Sequence, residues 1–138
     1  MEKHCTSLEI SKQLKETGWK KETEFWWIED KSGNNKILLY SYKQYINLDA
    51  YGCRDAQNNC YPAPLATEIL EELPSFIQQA YKYNLTIEKL GDEYSGFYQY
   101  SDRDCDYLLA GMDGAKFDKS LPNALAKMWL YLKKEGII

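Results

Sequence analysis

Two aromatic-rich segments flank a short polar loop in the first third of the sequence. Residues 24–28 and 36–42 are rich in aromatic and β-branched side chains, and Asp, Ser, Gly and Asn fill the loop between them. Two such segments around a turn-forming loop predict an antiparallel hairpin. Neighbouring residues of a strand point to opposite faces, so one of Trp26 and Trp27 belongs to the core. The other needs cover, from this chain or from a partner.

A second hairpin is predicted later in the chain. Residues 85–89 alternate between apolar and polar side chains, residues 91–93 form a turn, and residues 97–100 return as a strand. The two stretches 45–63 and 101–118 contain glycine, proline or polar residues without a period, and both are predicted to be loops.

Three helices are indicated by apolar spacing and by capping residues. The first covers residues 7–17, with Thr6 as the N-cap of a capping box. A short helix over residues 65–73 lies between two prolines. The third begins after Ser120, carries an apolar stripe and ends at Gly136.

The resulting element order, α-β-β-α-β-β-α, predicts an α+β fold in which helices pack on antiparallel hairpins. A chain of 138 residues suits a single domain over residues 1–138. The first residues lack the apolar stretch of a secretory signal, and no apolar run is long enough for a membrane helix. We therefore expect a cytoplasmic protein without a membrane partner, whose four cysteines are free thiols.

Enzymatic chemistry has little support in the sequence. The one histidine, His4, stands near the terminus, so catalysis by a cysteine or serine paired with histidine is disfavoured. Cys53 and Cys60 are spaced more widely than the usual zinc-binding pair, and a disulfide between them conflicts with a reducing compartment. We expect neither enzymatic activity nor a cofactor.

Four aspartates have the spacing of a calcium loop. Asp102, Asp104, Asp106 and Asp113 fall at positions 1, 3, 5 and 12 of such a loop. However, Tyr107 stands where the turn needs glycine, and aspartate replaces the longer glutamate at position 12. A solvated acidic loop is the favoured interpretation, and no metal is assigned.

Charge and aromatic content indicate the class of partner. With 17 basic and 21 acidic residues the net charge is −4, which disfavours nucleic acid. Tyrosine and tryptophan are frequent at protein interfaces, and the chain has 12 tyrosines and 4 tryptophans. The predicted binding residues are Trp26 or Trp27, whichever is uncovered, with Tyr40 and Tyr42. If the two hairpins share a face, Tyr98 and Tyr100 extend this surface.

The most favoured function is accordingly a non-enzymatic protein-binding module, with a protein partner or a second copy of the chain. Two alternatives stay open. One is a small-ligand or metal-binding protein that uses the acidic loops, and the other is a weakly acidic antagonist of a host defence.

Several segments together resemble a family of small phage-related proteins. They are residues 5–15, Phe25-Trp26-Trp27, residues 62–66, Leu73-Pro74 and residues 123–132. In these segments, which span most of the chain, the sequence is similar to proteins of unknown function encoded by bacteriophages, prophages and other mobile elements. The resemblance implies a bacterial, phage-derived protein and assigns no catalytic residue.

Overall fold

The computed structural model describes residues 3–30, 36–41 and 60–138. This part of the chain contains three α-helices and two antiparallel sheets, so the predicted α+β class is confirmed. The chain divides into two compact units, Met1–Leu65 and Ala66–Ile138, and each is described by itself. The expectation of a single domain over residues 1–138 stays a prediction.

The N-terminal unit contains one helix and a three-stranded sheet in the order β2-β1-β3. Its elements are α1 (Leu8–Thr17), β1 (Phe25–Asp30), β2 (Lys36–Ser41) and β3 (Cys60–Pro62). β1 and β2 form the first predicted hairpin, with Trp26 opposite Tyr40 and Trp27 opposite Leu39. The predicted loop over residues 45–63 lies outside the described residues up to residue 59, and its end forms β3.

The N-cap of α1 is Ser7, so the prediction of Thr6 as N-cap is wrong. Thr6 lies in an extended segment whose backbone N–H donates to the Pro64 carbonyl at 3.1 Å. This pairing buries its side chain, and its hydroxyl hydrogen-bonds the Ser11 hydroxyl at 2.8 Å. The helix ends at Thr17, as the predicted range has it, and its C-cap is Gly18, whose φ of +97° is a conformation that glycine adopts without strain.

A buried apolar cluster of the N-terminal unit lies on the Phe25 and Trp27 face of β1, while Ile28 is buried on the other face. Phe25 and Trp27 pack in this cluster with Cys5 and Ala63, and partly buried apolar side chains surround them. The Trp27 indole N–H donates to the Thr6 carbonyl at 2.9 Å, which satisfies the polar atom of this buried ring.

The C-terminal unit contains two helices and a five-stranded sheet. Its elements are α2 (Ala66–Glu72), β4 (Phe76–Gln78), β5 (Lys82–Leu90), β6 (Glu93–Ser101), β7 (Asp106–Leu108), a 3₁₀ turn (Gly111–Gly114), β8 (Lys116–Asp118) and α3 (Leu121–Lys134). The strand order is β4-β5-β6-β7, and β8 also pairs with β6. β5 and β6 form the second predicted hairpin.

Two short strands lie where the sequence predicted a loop over residues 101–118. β7 pairs with the end of β6 and β8 pairs with its beginning, so both lie along the same edge of β6. Each has three residues, which is too short for an alternating pattern to be recognised.

The C-terminal helix α3 packs on one face of β6. The Ser120 hydroxyl accepts a hydrogen bond from the Asn123 N–H at 3.4 Å, which confirms the predicted N-cap. A Cβ atom at Gly96 would lie 3.9 Å from a methyl group of Leu125, so the Gly96 side of β6 faces the helix. Tyr98 shares this face and is buried, and its hydroxyl donates to the Pro74 carbonyl at 2.6 Å.

Candidate functional site

The adjacent tryptophans occupy different environments. Trp27 is only 9% exposed and belongs to the core, whereas Trp26 is half-buried on the opposite face of β1. Trp26 is therefore the less covered of the two predicted binding residues. Tyr40 lies across from it on β2 and is half-buried, while Tyr42 lies outside the described residues.

The two hairpins belong to different sheets, so their tyrosines do not line one face of a shared sheet. Tyr40 lies in the three-stranded sheet, and Tyr98 and Tyr100 lie in the five-stranded sheet. Tyr98 is a core residue whose pKa is raised by burial. Tyr100 belongs to a different group of tyrosines, described below.

The aspartates of the suggested calcium loop have other roles. Asp102 Oδ1 accepts the backbone N–H groups of Asp104 and Cys105, both at 2.9 Å, and so stabilises a tight turn between β6 and β7. Asp106 is the first residue of β7, and the Asp113 side chain lies outside the described residues. Within the described part of the chain, no three His, Cys, Asp or Glu side chains are placed to share a metal ion.

The cysteines occupy different environments. Cys5 and Cys60 are buried, and Cys105 is exposed in the turn that Asp102 stabilises. Cys53, the possible partner of Cys60, lies outside the described residues.

Four tyrosines gather at one end of the five-stranded sheet, and we call Tyr81, Tyr83, Tyr100 and Tyr107 the tyrosine cluster. Tyr100 is at its centre: the ring centroid of Tyr81 lies 4.5 Å away, that of Tyr107 6.0 Å and that of Tyr83 6.2 Å. The Tyr81 and Tyr107 rings are inclined to the Tyr100 ring by only 21° and 25°, so the three rings form a near-parallel row. The Tyr83 ring meets Tyr100 edge-on.

Strand register brings these residues together. Tyr100 is paired directly with Tyr107 on β7. Tyr83 lies one residue before Asn84, which pairs with Gln99, and so it neighbours Tyr100 on the other side. The side chains of Tyr81 and Tyr83 share a face because they are two residues apart.

The two outer rings of the row are substantially open to solvent. Tyr81 is 53% exposed and Tyr107 is 47% exposed, whereas Tyr83 and Tyr100 are half-buried. Mutual stacking orders these rings before any partner arrives, so less side-chain entropy is lost on binding.

Negative charge surrounds the Tyr107 end of the row. Residues 102–106, which we call the acidic turn, contain three aspartates and one arginine. The backbone N–H groups of Cys105 and Asp104 keep the pKa of Asp102 below its usual value, so this carboxylate stays ionised. A hydrogen bond with Cys105 and the charge of Asp102 raise the pKa of Tyr107 to about 12.

A second surface feature adjoins the tyrosine cluster at Tyr100. It is an open groove of about 410 Å³, lined by Lys82, Asn84, Thr86, Gln99, Tyr100 and Ser101. Three of its polar side chains hydrogen-bond within the chain: Gln99 Nε2 donates to Ser101 Oγ at 3.2 Å, and Thr86 Oγ1 donates to the Asn84 carbonyl at 3.4 Å. The tyrosine cluster is therefore the better candidate for a binding site.

Sequence reasoning identified only Tyr100 of these four tyrosines. Tyr81 and Tyr83 precede the segment predicted as a strand, and Tyr107 lies in the stretch predicted as a loop. The two-residue spacing of Tyr81 and Tyr83 was the one available signal.

Comparison with known proteins finds no family model, curated protein or solved structure that matches this chain. The resemblance to phage and mobile-element proteins therefore stays a prediction. Among the described residues, no helix is both long enough and apolar enough to cross a bilayer.

Proposed function

We propose that this chain is a recognition module that binds another protein through its tyrosine cluster. The observation that carries the proposal is the row of stacked rings with two half-exposed members, Tyr81 and Tyr107. Tyrosine offers a large, stiff contact surface with a polar hydroxyl, which explains its frequency at protein interfaces. The proposal assigns no catalytic step to the chain.

A protein partner suits the charge better than a nucleic acid does. Bases also stack on tyrosines, but their phosphates favour positive surroundings. Here the net charge is −4 and the acidic turn adjoins the rings. Repulsion of phosphate at this position opposes stacking of a base on Tyr107.

A second surface is the alternative docking site for the same function. Leu38 and Tyr40 lie on the same face of the N-terminal sheet as Trp26, and Leu38 is 46% exposed. This surface contains Trp26 and Tyr40, which the sequence predicted as binding residues. The substitution Trp26→Ala distinguishes it from the tyrosine cluster.

Two further expectations from the sequence, on origin and on location, are part of this proposal. We propose an origin in a phage or mobile element and a cytoplasmic location, which agree with a small acidic binding protein. A small-ligand protein and a host-defence antagonist are the competing functions, and the charge of −4 is small for imitation of nucleic acid.

Affinity capture from bacterial lysate tests the proposal with the full-length chain. We compare the wild type with the double variant Tyr81→Ala/Tyr107→Ala, with Trp26→Ala, and with Phe117→Ala as a control that removes another half-exposed ring. We expect a set of proteins that the wild type and Phe117→Ala retain and the double variant loses. Melting temperatures establish that each variant is folded.

Two results contradict the assignment to the tyrosine cluster. Capture that is unchanged in the double variant rules out this surface. Loss of capture in Trp26→Ala alone assigns the function to the surface around Leu38 and Tyr40 instead.

A further inference from the structure

Many aromatic rings of this chain carry one of its own lysine ammonium groups. In the C-terminal unit, Lys82 Nζ lies 4.4 Å from the Phe76 ring centroid and Lys116 Nζ lies 4.4 Å from that of Tyr131. Three further rings have the same arrangement, namely Tyr61, Tyr94 and Trp129. A cation over an aromatic face is attracted by the negative charge of that face.

The tyrosine cluster differs from these rings. In the part of the chain that the structure describes, no lysine or arginine lies over any of its four rings. Yet Tyr81 and Tyr107 are among the most exposed aromatic side chains of the described residues. The exposed rings of Tyr81 and Tyr107 are therefore open to a cation from a partner, because no lysine or arginine of the described residues covers them.

The electrostatic surroundings favour a cation at the same place. Asp102, Asp104 and Asp106 are exposed and outnumber the single Arg103 of the acidic turn. Asp102 lies two residues after Tyr100, the strand partner of Tyr107, and its carboxylate accepts the Cys105 N–H, so carboxylate and ring lie at the same end of the row. A cation above this end of the row therefore interacts with a ring face and with a carboxylate.

Of the two basic side chains, arginine fits this combination better. Its planar guanidinium group stacks on an aromatic ring while its N–H groups donate to a carboxylate. A lysine ammonium is a strongly hydrated point charge, and it gains less from a flat ring.

From these observations we infer that the tyrosine cluster and the acidic turn bind an arginine-bearing segment of the partner protein. The inference rests on the proposed function and adds the chemistry of the ligand. The guanidinium group stacks on the exposed ring of Tyr107 and pairs with the carboxylates of the turn.

A synthetic peptide of alternating glycine and arginine is the probe, with matched lysine and citrulline peptides for comparison. Citrulline keeps the planar shape of arginine and removes its charge. Binding to the full-length chain is measured by isothermal titration calorimetry at about 50 mM salt, where charge interactions are only partly screened. We expect the arginine peptide to bind most tightly and the citrulline peptide to lose binding.

Two sets of substitutions separate the rings from the charges. One exposed cation–π contact changes affinity by a factor of about 2–5, so Tyr107→Ala should weaken binding of the arginine peptide by about that factor, and Tyr81→Ala/Tyr107→Ala by at least as much. Replacing Asp102, Asp104 and Asp106 by asparagine keeps the acceptor oxygen that the turn needs. This triple variant should bind more weakly and lose most of the salt dependence.

Matched controls lie elsewhere on the C-terminal unit. Asp92→Asn removes an exposed carboxylate of the turn between β5 and β6, where Asp92 lies 3.3 Å from Lys119. Phe117→Ala removes an exposed ring from β8. Both controls should bind the arginine peptide like the wild type.

Several outcomes overturn the inference. The inference is wrong if the lysine and arginine peptides bind with equal affinity. It is also wrong if a thymidine oligonucleotide binds more tightly than the arginine peptide, or if sedimentation shows self-association that the tyrosine variant abolishes. If the arginine peptide fails but lysate capture still depends on the tyrosines, the inference fails and the proposed function stands. If neither depends on the tyrosines, both fail.

Discussion

Two buried serines have opposite hydrogen-bonding situations, and this difference leads to a prediction about stability. Ser95 in β6 is 2% exposed, and its Oγ forms no hydrogen bond with the described part of the chain. Ser11 in α1 is equally buried, but its Oγ lies 2.8 Å from the Thr6 hydroxyl. The same substitution to alanine should therefore have opposite effects at the two positions.

The expected magnitudes follow from the cost of burying a polar group. An unsatisfied buried hydroxyl costs about 1–3 kcal/mol, and Ser95→Ala removes it with little change in volume. We expect the free energy of unfolding to rise by about 1 kcal/mol. Ser11→Ala leaves the Thr6 hydroxyl without its partner, which should lower the free energy of unfolding by about 1–2 kcal/mol. The better helix propensity of alanine offsets up to about 0.5 kcal/mol of this loss.

Urea unfolding of the full-length chain measures both effects. Far-ultraviolet circular dichroism follows the secondary structure of both units, and Ser95 lies in the C-terminal unit. A change of midpoint at constant slope identifies a change of stability. A loss of about 1 kcal/mol or more in Ser95→Ala would refute the reasoning, because it would show that the Ser95 hydroxyl has a partner.

Two further changes test local features of the C-terminal unit. Burial alone raises the pKa of Asp118, but the hydrogen bond from Lys127 and other donors outweigh it and keep the pKa low. Its stabilising contribution is therefore present above about pH 4 and lost as the pH falls further, so Asp118→Asn should flatten the acid side of a melting-temperature profile. A Cβ atom at Gly114 would overlap the Leu109 carbonyl oxygen. In thermal unfolding, Gly114→Ala should thus lower the free energy of unfolding by about 2 kcal/mol or more. Gly111→Ala should lower it by about 1 kcal/mol, because a Cβ atom there meets open space but the residue has a positive φ.

The predictable part of the fold rests on local signals. The hydroxyl of Ser120 and the two prolines around α2 marked helix ends, because they act within one turn of the chain. The same kind of signal failed at Thr6. There, pairing of the extended segment with Pro64, far away in sequence, placed the side chain in the core instead of at the helix end.

The tyrosine cluster could not be predicted from the sequence, because it depends on the register between strands that pair at a distance along the chain. Tyr100 meets Tyr107 only if β7 pairs with β6 in the observed register, and a shift by one residue would turn Tyr107 to the other face. β7 has three residues, so its own sequence carries almost no information about that register.

The acidic turn links the register of β7 to the charge of the candidate site. Asp102 Oδ1 accepts the N–H groups of Asp104 and Cys105, and this fixes the turn that places Tyr107 beside Tyr100. The same two hydrogen bonds keep the carboxylate ionised next to the ring. A calcium ion would have to compete with these N–H donors for the oxygen. One side chain thus disfavours the metal site that the aspartate spacing suggested, and it contributes both the geometry and the charge that an arginine ligand requires.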